Sequence, residues 1–314
     1  MKSPKIILSV LLLICSTSLV AQQDAMHTQY VMNKLFVNPG YAGYKELPTI
    51  TAIHRSQWLG FKGAPMTQVL SYDAPLKMDK LAIGATLMHD KLGPQRTTGF
   101  AADVAYRAKL GNRATLSFGA KASIEMYQAN LTDLVLTSDY YGLEDSYFMN
   151  NTRGLFLPNI GFGLYYHKKN HFVGLSVPKM IRNKLERKGS DMYHLLNGRQ
   201  EPTVYLMGGW VKKINRELKI QPNFMVKGEW GAPLSIGAHI NGIYLDQFNV
   251  GVFYYHKETA GLMFQWQADK QLKVGYSMDF PVNQLISTGY GSHELALNYN
   301  ISTKRKRIIY PKYF

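Results

Sequence analysis

Residues 98–127 read TGFAADVAYRAKLGNRATLSFGAKASIEMY, and they carry the clearest structural pattern in the sequence. Apolar or small residues occupy every second position over 100–110 and again over 116–126, with polar and charged residues prominent between them. Because neighbouring side chains in a strand point to opposite faces, each run has one apolar face and one more polar face. A Gly111-Asn112 turn joins the runs, so both apolar faces lie on the same side of a hairpin.

The same alternation recurs to the C-terminal end and predicts an all-β protein, a closed transmembrane antiparallel β-barrel. We predict about fourteen strands, an even number that permits antiparallel closure, with twelve and sixteen as the alternative counts. The predicted strands are 49–57, 66–73, 80–90, 98–110, 114–127, 159–167, 170–178, 203–212, 217–227, 234–242, 247–256, 259–269, 271–280 and 291–301.

The connections between these strands alternate between short and long, which predicts an orientation. Outer-membrane barrels of Gram-negative bacteria have short periplasmic turns and longer external loops. The long connections 128–158 and 179–202 are therefore expected at the cell surface. Both termini of the mature chain are expected in the periplasm.

Both ends of the chain differ from the barrel. Lys2 and Lys5 precede an apolar run over 6–14 and small residues up to Ala21, the pattern of a secretory signal peptide over 1–21. The single cysteine, Cys15, lies within it. Residues 22–48 lack a period of two and are predicted to form a periplasmic or lumenal segment with a short helix and a turn. The barrel then covers 49–301 and a basic periplasmic tail 302–314.

The alternation also assigns side chains to the two faces of the barrel. Tyrosine and tryptophan near strand ends suit the membrane interfaces, and we expect such girdles at Tyr165, Tyr166, Trp210, Tyr254, Tyr255, Trp266 and Tyr299. The lumen-facing candidates are Asp103, Arg107, Lys109, Lys121, Glu125, His239, Gln265, Gln267, Lys273, Asp279 and Glu294.

Motifs for catalysis or cofactors are nearly absent from the sequence. His54 and Ser56 share one face of a predicted strand, the minimum for a base-activated serine, and a surface hydrolase is the weakest hypothesis considered. The histidines lack a metal-binding spacing, and the acidic residues of 128–158 lack the regular spacing of a calcium loop. We predict no enzyme activity, no metal and no cofactor. The formal net charge of +15 favours acidic lipid head groups of the outer membrane or an anionic protein, whereas secretion argues against nucleic acid.

Several blocks of sequence resemble the PorP/SprF family of outer-membrane proteins of the type IX secretion system and gliding machinery. The most specific are Gln23-Asp24 through Gln29-Tyr30 to NPGYAG at 38–43, and HRSQWLGF at 54–61. Weaker similar blocks are SYDAP at 71–75, LAIG at 81–84, HDKLG at 89–93, LSFG at 116–119 with Tyr127, and HELALNY at 293–299.

The resemblance implies a non-enzymatic barrel that works beside other type IX secretion proteins: a periplasmic ring lipoprotein, motor components and other outer-membrane components. Some family members retain or present secreted surface proteins, such as gliding adhesins, through the C-terminal domains of those proteins. A passive or selective outer-membrane channel is the alternative function. The candidate partner-binding residues are Asn38, Pro39, Gly40, Gly43, Trp58, Lys304, Arg305, Lys306 and Arg307.

One feature departs from the family pattern. Family members commonly end at the last strand, whereas here residues 302–314 follow Ile301. If barrel assembly reads the last strand, the assembly signal is 294–301. If it reads the terminal Phe314, the predicted register near the C-terminus is wrong.

Overall fold

The computed structural model describes residues 27–76, 80–111, 114–130, 152–185, 199–282, 289–301 and 313–314. Fourteen long strands form the barrel. They are β1 (Thr49–Ser56), β2 (Met66–Pro75), β3 (Leu81–Leu92), β4 (Gln95–Leu110), β5 (Ala114–Ala129), β6 (Thr152–Lys168), β7 (His171–Val177), β8 (Thr203–Trp210), β9 (Leu218–Glu229), β10 (Ser235–Tyr244), β11 (Phe248–Tyr255), β12 (Thr259–Gln267), β13 (Leu272–Pro281) and β14 (Ser292–Asn300).

Every long strand pairs antiparallel with its neighbours in sequence, and the sheet closes between its first and last strands. Thr49 opposes Asn300 and Ser56 opposes His293, which joins β1 to β14 along the whole of β1. Closure leaves none of the long strands at a free sheet edge, as a membrane-spanning sheet requires. Two short ladders are added to this barrel: Asn183–Lys184 pairs with Arg199–Gln200, and Lys212–Lys213 pairs with the start of β9.

The pleat sorts the side chains as the sequence predicted. On β4, Val104 and Tyr106 point outward and are about half exposed, while Asp103 and Arg107 are buried inside. Exposed apolar side chains on the outer face of such a barrel meet lipid. The backbone polar groups can lie in the membrane as well, because they are paired within the closed sheet. No helix within the described residues is long and apolar enough to cross a membrane.

The predicted count of fourteen strands is confirmed, and the main difference in length is at β6. The sequence predicted 159–167, but the strand begins at Thr152. This longer strand contains Pro158, which cannot donate to a ladder. In the structure β7 pairs with β6 only from Phe162 onward, so Pro158 lies where β5 is its only strand neighbour among the described residues.

Two of the tyrosines expected in an interfacial girdle lie in the lumen instead. Tyr165 and Tyr255 are 0% and 2% exposed, whereas Tyr254 at the adjacent position points outward. Consecutive residues of a strand face opposite sides of the sheet. Only one tyrosine of the pair Tyr165-Tyr166, and only one of the pair Tyr254-Tyr255, can therefore face the membrane. The expectation was wrong for one member of each pair.

Residues 27–48, which we call the plug, lie inside the barrel. The plug contains two single-turn 3-10 helices, Lys34–Phe36 and Pro39–Tyr41, and packs against β4, β5 and β6. At the other end of the chain the structure describes two residues after Ile301, namely Tyr313 and Phe314, and Phe314 is buried in the same aromatic cluster as the plug. The sequence predicted a periplasmic tail beyond the last strand, whereas these two residues return to the barrel interior.

Candidate functional site: the plugged lumen

The plug contains a turn that is stabilised by hydrogen bonds within its own sequence. The Asn38 side-chain oxygen accepts the backbone N–H of Gly40 (2.8 Å), and Pro39 begins the second 3-10 helix. An asparagine before a helix caps its free N–H groups, and proline is tolerated at the first helical position because its missing donor is not needed there. The NPG sequence therefore produces a compact turn that fits within the lumen.

The N-terminal end of the plug is fixed by buried charges. Glu294 accepts the backbone N–H groups of Thr28 (2.9 Å) and Gln29 (2.6 Å) through its two oxygens. Arg55 lies beside them and contacts Glu294 (3.2 Å). Arg55 also donates to both oxygens of Asp279 through its two terminal nitrogens (2.8 and 3.1 Å). One cation thus pairs with two carboxylates, and the N–H groups of the plug backbone supply further hydrogen bonds to Glu294.

His27 adds an uncharged ring next to this cluster. Burial, with a smaller contribution from the Arg55 charge, lowers the pKa of His27 to about 3. The ring packs edge-on against Phe36 (4.8 Å between centroids). His27 is therefore neutral at physiological pH and adds no charge to the cluster around Arg55.

The middle of the plug is held by hydrogen bonds to its carbonyl groups and by close packing. Lys121 forms an ion pair with Asp103 (3.3 Å) and donates to the carbonyls of Leu35 (3.2 Å) and Phe36 (3.3 Å). Ser176 donates to the carbonyl of Val37 (2.7 Å). These contacts satisfy plug carbonyls that water would otherwise serve.

Two glycines of the wall permit this close approach. A Cβ atom at Gly119 would lie 2.2 Å from the Gly40 nitrogen, and one at Gly163 would lie 2.2 Å from the Asn38 side-chain oxygen. Asn38 also donates to the carbonyl of Leu164 (3.0 Å). The plug backbone therefore lies directly on the inner surface of β5 and β6, where any side chain would displace it.

The C-terminal end of the plug is attached to other strands. Asp73 on β2 accepts the backbone N–H of Gly43 (2.9 Å), and Arg107 on β4 lies 3.8 Å from Glu46. Lys45 donates to Asn298 on β14. The plug is consequently fixed at both ends and in the middle, to strands spread around the barrel.

Lys34 is a fully buried lysine at the centre of the plug. Its amino group donates to the carbonyl of Val31 (2.8 Å) and lies over the rings of Phe172 (4.9 Å) and Tyr41 (5.5 Å). Aromatic faces attract a desolvated cation. Burial, assisted by the charges of Lys45 and Lys273, holds the pKa of Lys34 well below its ordinary value.

A cavity of about 170 Å³ remains between the plug and the wall. Phe36 and Val37 of the plug form one side of it, and residues of β3, β4 and β5 form the other. Glu125 at its rim accepts from Lys179 (2.8 Å) and Gln200 (2.8 Å), which ties the connection after β7 to the inner wall. Among the described residues, a pocket of mixed polarity therefore lies beside the plug.

A family model described as "Type IX secretion system membrane protein PorP/SprF" matches residues 19–299, nearly the whole chain. The chain belongs to this family. The PorP/SprF assignment and the closed barrel together make it an outer-membrane protein of the type IX secretion system.

Several solved structures are similar to this PorP/SprF protein at low sequence identity. The CymD monoaromatic hydrocarbon channel has a TM-score of 0.52 and 10% identity, with 87% of this chain and 93% of that chain covered. A Pseudomonas aeruginosa FadL homologue has a TM-score of 0.45 and 12% identity, covering 84% and 92%. Acinetobacter baumannii Omp33 has a TM-score of 0.43 and 9% identity, covering 82% and 100%. No curated protein sequence matches the chain.

The hydrolase hypothesis has no support in this PorP/SprF protein. His54 and Ser56 do come together (3.2 Å), but the other ring nitrogen of His54 lies 3.4 Å from the amide of Gln68, not near a carboxylate. The pair lies on the outer face of β1, opposite to Arg55. Proteins of this family are membrane components of a secretion system and are not enzymes. Among the described residues no cluster of acidic, histidine or cysteine side chains could hold a metal ion.

The lumen candidates predicted from sequence occupy the inner face, with differences in burial. Lys109 is exposed near the end of β4, and Lys273 contacts Gln265 (3.4 Å). The buried charged members are Asp103, Arg107, Lys121, Glu125, Asp279 and Glu294.

The residues of the NPGYAG block that were predicted to bind a partner are buried in the barrel and do not lie on its surface. Asn38, Pro39, Gly40 and Gly43 are buried against the barrel wall and contact this chain. Because a buried residue cannot contact a partner in this state, the structure assigns them to holding the plug. Trp58 lies in the β1–β2 connection at the long-loop end, and Lys304, Arg305, Lys306 and Arg307 lie outside the described residues.

Sequence reasoning missed several residues that build the site. Arg55 and Asp73 lie within the HRSQWLGF and SYDAP blocks, but their contacts with the plug could not be read from those blocks, and Lys34 gave no signal. Phe172 and Phe314 were likewise overlooked as parts of the lumen. The alternation along the strands places Arg55, Asp73 and Phe172 on the inner face and could have identified them.

Proposed function

We propose that this protein acts in type IX secretion as a plugged docking component, which binds periplasmic ring or motor proteins at its short-turn end. The observation that carries the proposal is the plug, because a barrel whose lumen is filled by its own N-terminal segment is unsuited to bulk diffusion. Side chains of β1, β2, β5, β13 and β14 and the backbone of β6 all bond to the plug, which makes it a fixed part of the barrel.

Positive charge at the short-turn end, the end of the barrel with the short connections between strands, indicates what kind of surface the partner has. Lys212 and Lys213 are exposed in the turn between β8 and β9, and the sequence after β14 carries Lys304, Arg305, Lys306 and Arg307. Short turns face the periplasm in outer-membrane barrels. A periplasmic partner with an acidic surface is therefore favoured, since complementary charge speeds and orients association.

The opposite end offers apolar side chains to a different kind of partner. Leu59 pairs with Tyr290 and Gly291 through backbone hydrogen bonds (2.9 and 2.8 Å), next to Trp58. Leu59, Phe61 and Tyr290 are exposed there. This surface supports the retention of secreted surface proteins through their C-terminal domains, as the family resemblance implies.

A pull-down from native membranes tests the docking proposal. Replacing Lys304, Arg305, Lys306 and Arg307 by Gln should reduce recovery of periplasmic secretion proteins and lower export. Replacing Lys184 and Lys257, which are exposed at the opposite end of the barrel, by Gln is the control for a loss of positive charge outside the proposed docking surface. Unchanged recovery and export in the tail variant, and in a variant lacking 22–48, would remove the proposal.

A passive or selective channel is the second candidate function. The cavity of about 170 Å³ and the charged inner face favour it. Ion current across a planar bilayer distinguishes the two, since a docking component with a fixed plug should pass little current.

A further inference from the structure

Residues 313–314, which we call the terminal pair, lie in the lumen beside the plug. Phe314 is 3% exposed, and its ring lies 4.7 Å from that of Phe172 on β7. The hydroxyl of Tyr41 donates to the Phe314 carbonyl oxygen (3.4 Å). One contact is with the barrel wall and the other is with the plug, so Phe314 bridges the two.

Tyr313 fixes the terminal pair to a second part of the wall. Gln221 on β9 donates to the Tyr313 carbonyl (2.9 Å), and the amino group of Lys219 lies 5.1 Å from the centre of the Tyr313 ring. Both β9 residues point inward and are buried. A hydrogen bond and a cation–π contact together give the terminal pair a defined seat.

The ring of Phe172 connects the terminal pair to the core of the plug. It stacks on Tyr165 (5.5 Å between centroids), and the amino group of Lys34 lies 4.9 Å from its centre. Tyr165 in turn meets Tyr41 edge-on (5.4 Å). Phe314 therefore completes an aromatic cluster that encloses the buried Lys34 and packs the plug against β6 and β7.

The two fixed ends of the C-terminal segment lie far apart around the barrel. Ile301, directly after β14, donates its backbone N–H to the carbonyl of Pro48 at the end of the plug (2.8 Å). The Tyr313 contacts are on β9, five strands away in the sheet order. Two plug residues thus contact the C-terminal part of the chain: Pro48 contacts Ile301, and Tyr41 contacts Phe314.

We propose that the terminal pair is an intramolecular latch, which keeps the plug seated in the lumen and whose release loosens it. The proposal concerns this chain alone and does not depend on which partner the protein docks. It goes beyond docking, because it gives any force or partner that withdraws the C-terminus a direct effect on the plug.

Release of the latch in the folded protein provides the test. The sequence contains one cysteine, inside the predicted signal, so Ala42→Cys places a single reporter thiol in the mature plug at a position that is 1% exposed. A protease site introduced within 308–312 allows the terminal pair to be cut off after folding. The purified full-length barrel is then treated with a membrane-impermeant maleimide before and after cleavage.

Cleavage should raise the labelling rate of the thiol roughly tenfold or more, the factor expected when a fully buried aromatic side chain loses its site. Phe314→Ala should label fast before cleavage and gain nothing after it, whereas Trp230→Ala, at an exposed aromatic residue, should behave as the parent. Equal labelling rates before and after cleavage would overturn the proposal. A parent protein that already labels at the cleaved rate would overturn it as well.

Discussion

Arg55 on the first strand and Glu294 on the last strand oppose each other across the seam that closes the barrel. Their side chains form an ion pair inside the lumen (3.2 Å), and the carboxylate also holds the backbone of Thr28 and Gln29. The residues that close the barrel are therefore the same residues that hold the plug. Closure of the sheet and seating of the plug are coupled at this position.

Removing the Glu294 carboxylate should destabilise the protein strongly. Glu294→Ala leaves two plug N–H groups unpaired and Arg55 with one carboxylate, and breaking a buried ion pair costs about 3–5 kcal/mol. The free energy of unfolding in detergent measures the effect. Glu217→Gln, at an exposed residue, should change it by less than about 0.5 kcal/mol. A loss of similar size in both variants would contradict the assigned role of Glu294.

A side chain at Gly119 should displace the plug while leaving the barrel paired. In Gly119→Ala the new methyl group would overlap the Gly40 nitrogen, at 2.2 Å, and backbone there cannot shift without breaking the Asn38 cap. Limited proteolysis within 27–48 should become faster. Gly111→Ala, where no atom lies within 4 Å of the new Cβ, serves as the control and should retain the parental cleavage rate.

Acid should loosen the N-terminal end of the plug through His27. Its pKa is about 3 in the folded protein and near 6.5 when exposed, so the unfolded state binds the extra proton between these values. Stability therefore rises with pH from about 3 to about 6.5 and is level above that range as far as this group is concerned. The melting temperature of His27→Gln should fall less than that of the parent as the solution is acidified from neutral pH to about one unit above the folded pKa. Parallel curves for the two proteins would show that His27 does not contribute.

Glu125 should hold the connection after β7 against the inner wall. Glu125→Gln removes the ion pair with Lys179 and weakens the contact with Gln200, so proteolytic cleavage within 179–202 should accelerate. Glu201→Gln is the matched control, because the partner of Glu201 is Arg182, which is more than half exposed. Ion pairs that are exposed to water and salt contribute only about 0–1 kcal/mol to the free energy of unfolding. Equal acceleration in both variants would count against a special role for Glu125.

The barrel was predictable from the sequence because its signal is local. A period of two is visible within each strand, and turns such as Gly111-Asn112 mark the ends, so fourteen strands could be counted. The inward position of Asp103 and Lys121 followed from the same period. The girdle expectation failed at Tyr165 and Tyr255, because residue type was given more weight than alternation.

The contacts of the plug could not be predicted, because they join residues that are distant in the chain. Arg55 and Glu294 are 239 positions apart, and Tyr41 and Phe314 are 273 apart. The plug has no strand period, so nothing in its sequence specifies which wall each residue meets. The NPG turn was recognisable as a turn, but its burial against Gly119 and Gly163 depends on the closed barrel.

Single-channel recording in a planar bilayer shows whether residues 27–48 close the lumen. We expect the intact protein to pass little or no steady current and a variant lacking 22–48 to pass a large one. A large, steady current through the intact protein, unchanged by loss of 22–48, would contradict the account.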